Sequence, residues 1–172
     1  MENKYYFLAA LCILTHIVRT VYEILKHNKI IKAGRTSFIL MFTNMAMLWA
    51  SWFSLCLIDE KILEIPDLVK YAGLVMAAAG LVLFLSGLLT IKTLETYEGD
   101  LITKGVYSKI RHPMYLGFIF WLIGFPVFCD ALYSMILAFP FVLNVLYWRY
   151  LEERELLARF YDYAEYRRRT WF

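Results

Sequence analysis

Apolar runs of membrane-crossing length constrain this chain more than any other feature. Five can be drawn: Tyr5 to Leu25, Ser37 to Ile58, Val69 to Ile91, Pro113 to Phe128 and Ala131 to Tyr150. A helix needs about 20 apolar residues to span a bilayer. The fourth run is short, and only Cys129 and Asp130 separate it from the fifth, which is the spacing of a tight helical hairpin. At 61% hydrophobic residues the chain is far more apolar than a soluble domain, where the share is about 45–50%. The first run lacks a strong basic leader and a small-residue cleavage site, so it reads as a retained span. No repeat, low-complexity tract or linker divides the sequence. The expected fold is all-α: one integral membrane domain over residues 1–172, with five transmembrane helices, the last two a hairpin, and a C-terminal cytoplasmic helix.

Loop charge orients these spans, because cytoplasmic loops carry the excess of Lys and Arg. The first connection holds Lys26, Lys29, Lys32 and Arg35 without an acid, whereas the second holds Asp59, Glu60, Glu64 and Asp67 against Lys61 and Lys70. The N-terminus is therefore expected outside. The third connection, residues 92–112, and the segment after Tyr150 then face the cytoplasm, where a soluble cofactor reaches both. The net charge of +3 is small and sorted by side, which argues against nucleic acid as a partner. Cys12, Cys56 and Cys129 lie in or at the ends of apolar runs without metal-ligand or disulfide spacing, and read as small buried hydrophobes.

The polar residues that stand out fall in three places. Arg111-His112-Pro113-Met114-Tyr115-Leu116-Gly117 opens the fourth run, and Pro113 marks a helix start, since proline is tolerated in a first turn. Arg111 and His112 then sit at the positive end of the helix dipole, either as a basic membrane anchor or as part of an anion site. Ahead of them, residues 92–110 are long for a turn, with Gly99 and Gly105 supplying bends and backbone amides available to a planar ligand. After the fifth run the helix is expected to continue, with Arg149, Glu152, Leu156, Phe160 and Tyr163 on one packed face and Glu153, Arg154 and Arg159 mainly on solvated ones. Arg167-Arg168-Arg169 with Trp171 and Phe172 fits an interfacial anchor on anionic lipid. In the first span, His16 and Arg19 lie one turn apart; Arg19 is near enough to the cytoplasmic end to snorkel, and a structural role is preferred for both.

Taken together, Leu101-Ile102-Thr103-Lys104-Gly105-Val106-Tyr107, the Arg111–Gly117 block, and Glu152-Glu153 followed by Leu156 and Phe160 resemble the isoprenylcysteine carboxyl methyltransferase family, itself related to the phospholipid N-methyltransferases. The resemblance covers residues 98–170 and makes residues 92–172 the catalytic portion. It implies an integral membrane enzyme that moves the methyl group of S-adenosylmethionine to a lipophilic or lipidated acceptor drawn from the membrane lipid. By position it implies donor contacts from Leu101, Ile102, Tyr107, His112, Pro113, Met114 and Tyr115; Asp100, immediately before the Leu-Ile pair, joins them as a candidate. On the acceptor side it implies Glu152 and an arginine one helical turn earlier. That arginine aligns onto Trp148, with Arg149 one place later as its replacement. Arg111 completes the candidate catalytic set.

Methyl transfer from a sulfonium needs alignment and exclusion of water more than acid–base chemistry. A carboxylate acceptor is ionised at neutral pH and needs a cation to place it. An amine acceptor must lose a proton, which Glu152 would take if burial raised its pKa. The Arg-plus-Glu face favours carboxyl O-methylation of an isoprenylcysteine-like substrate, with phospholipid amine N-methylation as the alternative. An NADPH-dependent membrane reductase and a non-enzymatic membrane scaffold are the readings from other classes. The short polar segments leave little room for a dinucleotide.

Overall fold

The computed structural model describes residues 2–32, 34–60, 64–91 and 99–172. The described residues form six α-helices: α1 Glu2–His27, α2 Arg35–Leu57, α3 Asp67–Ile91, α4 Pro113–Phe128, α5 Leu132–Arg159 and the short α6 Tyr163–Arg169, with a 3-10 turn at Gly105–Ser108 before α4. Among the described residues the only bridge between extended segments pairs Ile110 with Trp171. Lys61 and the first part of the third connection, Lys92 to Glu98, lie outside the described residues.

Among the described residues four helices, not the expected five, are long and apolar enough to cross a membrane: α1, α2, α3 and α5. The fourth apolar run forms a 16-residue helix, about 24 Å long at 1.5 Å per residue, against about 30 Å of hydrocarbon. Its length is set at both ends. Pro113 occupies the first turn, and Asp130 just past the C-cap has φ +57°, a left-handed conformation that stops the helix. A helix apolar all round belongs in a core, and α4 buries Leu116, Phe118, Trp121, Leu122 and Pro126. The faces of α3 and α1 instead present large apolar side chains such as Val82, Leu89, Leu14 and Ile17 outward, as a lipid-facing surface should.

The closest helix contact is between α3 and α4, which run antiparallel with their backbones nearly touching. A methyl group added at Gly80 would stand 2.7 Å from the Gly117 carbonyl oxygen, and one at Gly73 would stand 2.7 Å from that of Gly124. Small residues at such crossings let helices approach closely where lipid supplies no hydrophobic drive. Elsewhere α1 is clamped to α5 by a polar chain inside the bundle. The Trp148 indole N–H donates to Thr20 Oγ1 at 2.9 Å, and Thr20 lies 2.8 Å from Asn144 Oδ1. The Asn144 amide then reaches His16 Nδ1 at 3.1 Å, so Nδ1 accepts and the ring proton sits on Nε2. His16, stacked 4.0 Å from Phe141, thus serves this clamp.

At the end of the bundle away from His27, Asp59 caps α5. Its Oδ2 accepts from the Ser134 backbone N–H at 2.7 Å and from the Ser134 hydroxyl at 2.9 Å, satisfying a donor that the first turn leaves open. Replacing Asp59 with Ala is expected to lower stability by about 1 kcal/mol, the usual worth of an N-cap, read as a shift in the thermal unfolding midpoint in detergent.

Candidate functional site

The site lies at the opposite, basic end, where Lys26 and His27 close α1 and Arg35 opens α2. Here α5 does not continue through Tyr163 as one helix. It ends at Arg159, Phe160 turns extended (φ −118°, ψ 120°), and α6 folds back. The reversal drives Tyr163 into complete burial and places α6 and Trp171 against the segment before α4. The backbone N–H of Arg111 donates to the Trp171 carbonyl at 3.0 Å, and that of Trp171 to the Lys109 carbonyl at 2.8 Å. The Tyr166 hydroxyl donates to the Tyr107 carbonyl at 2.6 Å.

A cavity of ≈ 120 Å³ opens between these elements. Of the residues singled out in the sequence, Asp100, Leu101, Ile102, Tyr107, Arg111, Met114, Tyr115 and Glu152 line it. His112, Pro113 and Arg149 do not. Pro113 is fully buried and packs on Gly87 of α3, which fixes where α4 starts. His112 is 4% exposed and lies behind the wall, with Nε2 3.3 Å from Glu153 Oε1 and 3.5 Å from the Tyr163 hydroxyl, and Nδ1 3.8 Å from Oε2 of the cavity-lining Glu152. Arg149 lies with its guanidinium 4.4 Å over the Phe172 ring.

Glu153, expected on a solvated face, is instead the centre of the supporting structure. Its carboxylate is 3.3 Å from Arg111 Nε, 3.3 Å from His112 Nε2, 3.9 Å from Arg149 Nε and 3.7 Å from Arg167 Nη2. The reason is geometric. Glu152 and Glu153 stand 100° apart on α5, and the returning α6 covers the Glu153 side while Glu152 stays open to the cavity. Arg111 is drawn into the same hub and also donates from Nη1 to the Arg167 carbonyl at 3.0 Å and to the Thr170 carbonyl. It therefore ties the chain after α6 to the start of α4. Arg167, read from sequence with the interfacial anchor, reaches the hub, whereas Arg168 and Arg169 stay exposed.

The α1 wall was not legible as part of a site. Glu23 is almost fully buried and pairs with Arg19, with Lys26 at 2.9 Å and with His27 at 3.2 Å. His27 reaches on to Glu155 of α5 at 2.6 Å. The signal in the sequence is the i, i+4, i+7, i+8 spacing of Arg19, Glu23, Lys26 and His27, which puts four charged groups on one helix face. Arg159, also expected to be solvated, is exposed but reaches the cavity rim and donates to the Gly99 carbonyl at 3.2 Å.

Burial and neighbouring carboxylates raise the phenol pKa values around the cavity. Tyr107 is pushed up by burial and the charge of Glu152, Tyr163 by burial and Glu153, and Tyr166 by burial to about 12. All three remain neutral hydroxyl donors at physiological pH. Among the described residues no group of three His, Cys, Asp or Glu side chains is arranged to hold a metal.

A second cavity of ≈ 280 Å³ adjoins the first and is lined almost wholly by apolar side chains of α2, α3, α4 and α5, among them Phe38, Met45, Trp49, Phe84 and Phe118. Arg19, Met114 and Tyr115 line both cavities. A polar chamber and an apolar one thus meet at the first turn of α4.

Comparison with known proteins agrees with the resemblance carried by the 98–170 motifs. The chain is 33% identical over 114 residues to a probable protein-S-isoprenylcysteine O-methyltransferase of Oryza sativa, covering 57% of this chain and 56% of that protein. It is 33% identical over 114 residues to protein-S-isoprenylcysteine O-methyltransferase B of Arabidopsis thaliana, covering 57% and 55%. To the protein-S-isoprenylcysteine O-methyltransferase of Saccharomyces cerevisiae it is 34% identical over 87 residues, 46% of this chain and 34% of that protein. The chain spans about half the length of the curated plant relatives it matches. No solved structure matches it. The phospholipid methyltransferase family model matches residues 68–164, from the start of α3 into α6, and the chain belongs to that family.

Proposed function

We propose that this chain is an integral membrane methyltransferase that uses S-adenosylmethionine to methylate the carboxylate of a lipophilic, isoprenylcysteine-like acceptor. One observation carries the reading: a polar cavity and an apolar cavity share a boundary at Tyr115, Met114 and Arg19. A transfer between a water-soluble donor and a membrane-borne acceptor requires two chemically different compartments that meet at one point. By loop charge the polar cavity faces the cytoplasm.

The donor set around the polar cavity suits S-adenosylmethionine. Asp100, Glu152 and Glu155 offer carboxylates to hydroxyl and ammonium groups, Arg159 and Lys26 offer cations to a carboxylate, and the rings of Tyr107 and Tyr115 offer π-faces to a base or a sulfonium. When bound there, the donor supplies a methyl group already activated by sulfonium charge. The protein's contribution is placement. Leu101 and Ile102 supply apolar contact beside Gly99 and Asp100. Tyr115, on the rigid first turn of α4, stands at the boundary with its hydroxyl facing Glu152. His112, Arg111 and Glu153 hold the α4 start, α5 and α6 together, so that Glu152 and Tyr115 keep their separation; Pro113 fixes the helix origin. Arg149 supports the hub from α5. An ionised acceptor carboxylate needs no base, and Glu152 then serves to orient the donor and exclude water.

Calorimetric titration of detergent-solubilised protein with S-adenosylmethionine and, separately, with NADPH tests the donor assignment. Saturable binding of adenosylmethionine and none of NADPH is expected. Binding of NADPH alone would make the protein a reductase, and binding of neither at millimolar concentration would remove the enzymatic reading. Tyr115→Ala, by opening the boundary, is expected to weaken adenosylmethionine affinity about tenfold, the loss of one aromatic contact of about 1–2 kcal/mol.

A further inference from the structure

We infer that Arg19 of α1 is the group that seats the acceptor's anionic head, in place of Arg149; this rests on the acceptor being a carboxylate amphiphile, as proposed above. Arg19 is the one charged residue among the described lining of the apolar cavity, and it also lines the polar one. An apolar chamber with a single cation at its mouth is complementary to a molecule with an apolar tail and one negative charge. Along α2 the chamber runs from Phe38 to Trp49, about 16 Å at 1.5 Å per residue, room for an extended prenyl-sized chain below the head.

The guanidinium is held but not satisfied. Its Nη2 pairs with Glu23, and it lies 5.7 Å from the Tyr22 ring centroid and 5.9 Å from that of Trp148. Its Nε–H is buried without a hydrogen-bond partner. Glu23 is shared among Arg19, Lys26 and His27, and Glu155 reaches only His27, so three basic groups face two carboxylates. A partly balanced cation with an open donor near the apolar core is costly, and a second carboxylate would complete it through the guanidinium fork. Arg149 lacks these properties. It lines neither cavity, and its guanidinium is covered by the Phe172 ring and drawn toward Glu153. Arg19 also lies outside residues 68–164, the part matched by the family model.

The test compares competitive binding of an S-prenyl cysteine bearing a free carboxylate with that of its carboxamide, in protein reconstituted in nanodiscs, with adenosylmethionine affinity and the thermal midpoint measured alongside. Wild type is expected to prefer the carboxylate by about tenfold or more, the worth of one charge-assisted bidentate contact. Arg19→Gln should bring that ratio to near one; Arg19→Lys should restore part of it; Arg149→Gln should keep the wild-type ratio. Where Arg19→Gln unfolds because Glu23 loses a partner, the paired Arg19→Gln/Glu23→Gln variant reads the same ratio. A ratio unchanged by the loss of Arg19, or abolished by Arg149→Gln alone, overturns the assignment and leaves the methyltransferase reading standing. A wild type that binds neither probe, or does not distinguish them, overturns the carboxylate acceptor and the role of Arg19 together, whatever its affinity for adenosylmethionine.

Discussion

Glu153→Gln is expected to cost about 3 kcal/mol of stability and to reduce turnover by more than a hundredfold, although Glu153 does not line the cavity. The carboxylate is the shared partner of Arg111, His112, Arg149 and Arg167, and its side chain is 9% exposed. Removing one member of a buried ionic group leaves the others uncompensated, a loss of about 3–5 kcal/mol when a single pair is involved. The lower figure applies here, because an amide still offers one acceptor oxygen. The functional loss follows from position: the hub joins α5 to the start of α4 and to the chain after α6, and small displacements of positioning groups cost about a hundredfold in rate. Glu152→Gln should separate from it. Glu152 is half-buried on the open side, so its midpoint should stay near wild type while kcat/KM falls about 10- to 100-fold, or about 1.4 to 2.7 kcal/mol of transition-state stabilisation. Thermal scans and initial rates on the two variants distinguish a supporting carboxylate from one that touches bound donor. Similar midpoints in both would contradict the hub.

The second large effect is expected at Gly117. A Cβ there would meet the Gly80 carbonyl oxygen and, at 3.1 Å, the backbone nitrogen of Phe84. Backbone atoms of a packed helix cannot step aside as a flexible side-chain end does, so α3 and α4 must separate. Gly117→Ala should destabilise by about 1–3 kcal/mol, the usual range for overpacking. Gly117→Leu should leave no monodisperse folded protein on size exclusion in detergent. The separation would also carry Met114 and Tyr115 away from Tyr107, so any folded fraction of Gly117→Ala should bind adenosylmethionine more weakly. A folded Gly117→Leu protein of wild-type stability would show that the α3–α4 contact is not the frame of the site.

What could be read from the sequence follows from the range of the interactions concerned. The apolar runs and the start at Pro113 are local properties, and the helices fall where they predict. Five runs were read as spans where four helices are long and apolar enough, because α4 is apolar for a different reason, burial at the centre of the bundle rather than contact with lipid. The signal for its partner, not used in the sequence reading, is the set of glycines at steps of seven, Gly73, Gly80 and Gly87 on one helix and Gly117 and Gly124 on the other, a stripe on one face every two turns. The choice between Glu152 and Glu153 was not legible, since both stand within one turn of Arg149 and only the break at Phe160 decides which is covered. Lys26 and His27 went unassigned and Arg19 was read as structural for a similar reason. Their part in the cavity depends on α1 packing beside α5, a contact between residues more than a hundred positions apart.

Label transfer from methyl-labelled S-adenosylmethionine to an S-prenyl cysteine in reconstituted protein, followed by mild base, measures the central claim. A methyl ester formed on the acceptor carboxylate releases its label as volatile methanol, and this is the expected result. Label that appears only in phospholipid and survives base would place the methyl on an amine and contradict the carboxylate acceptor.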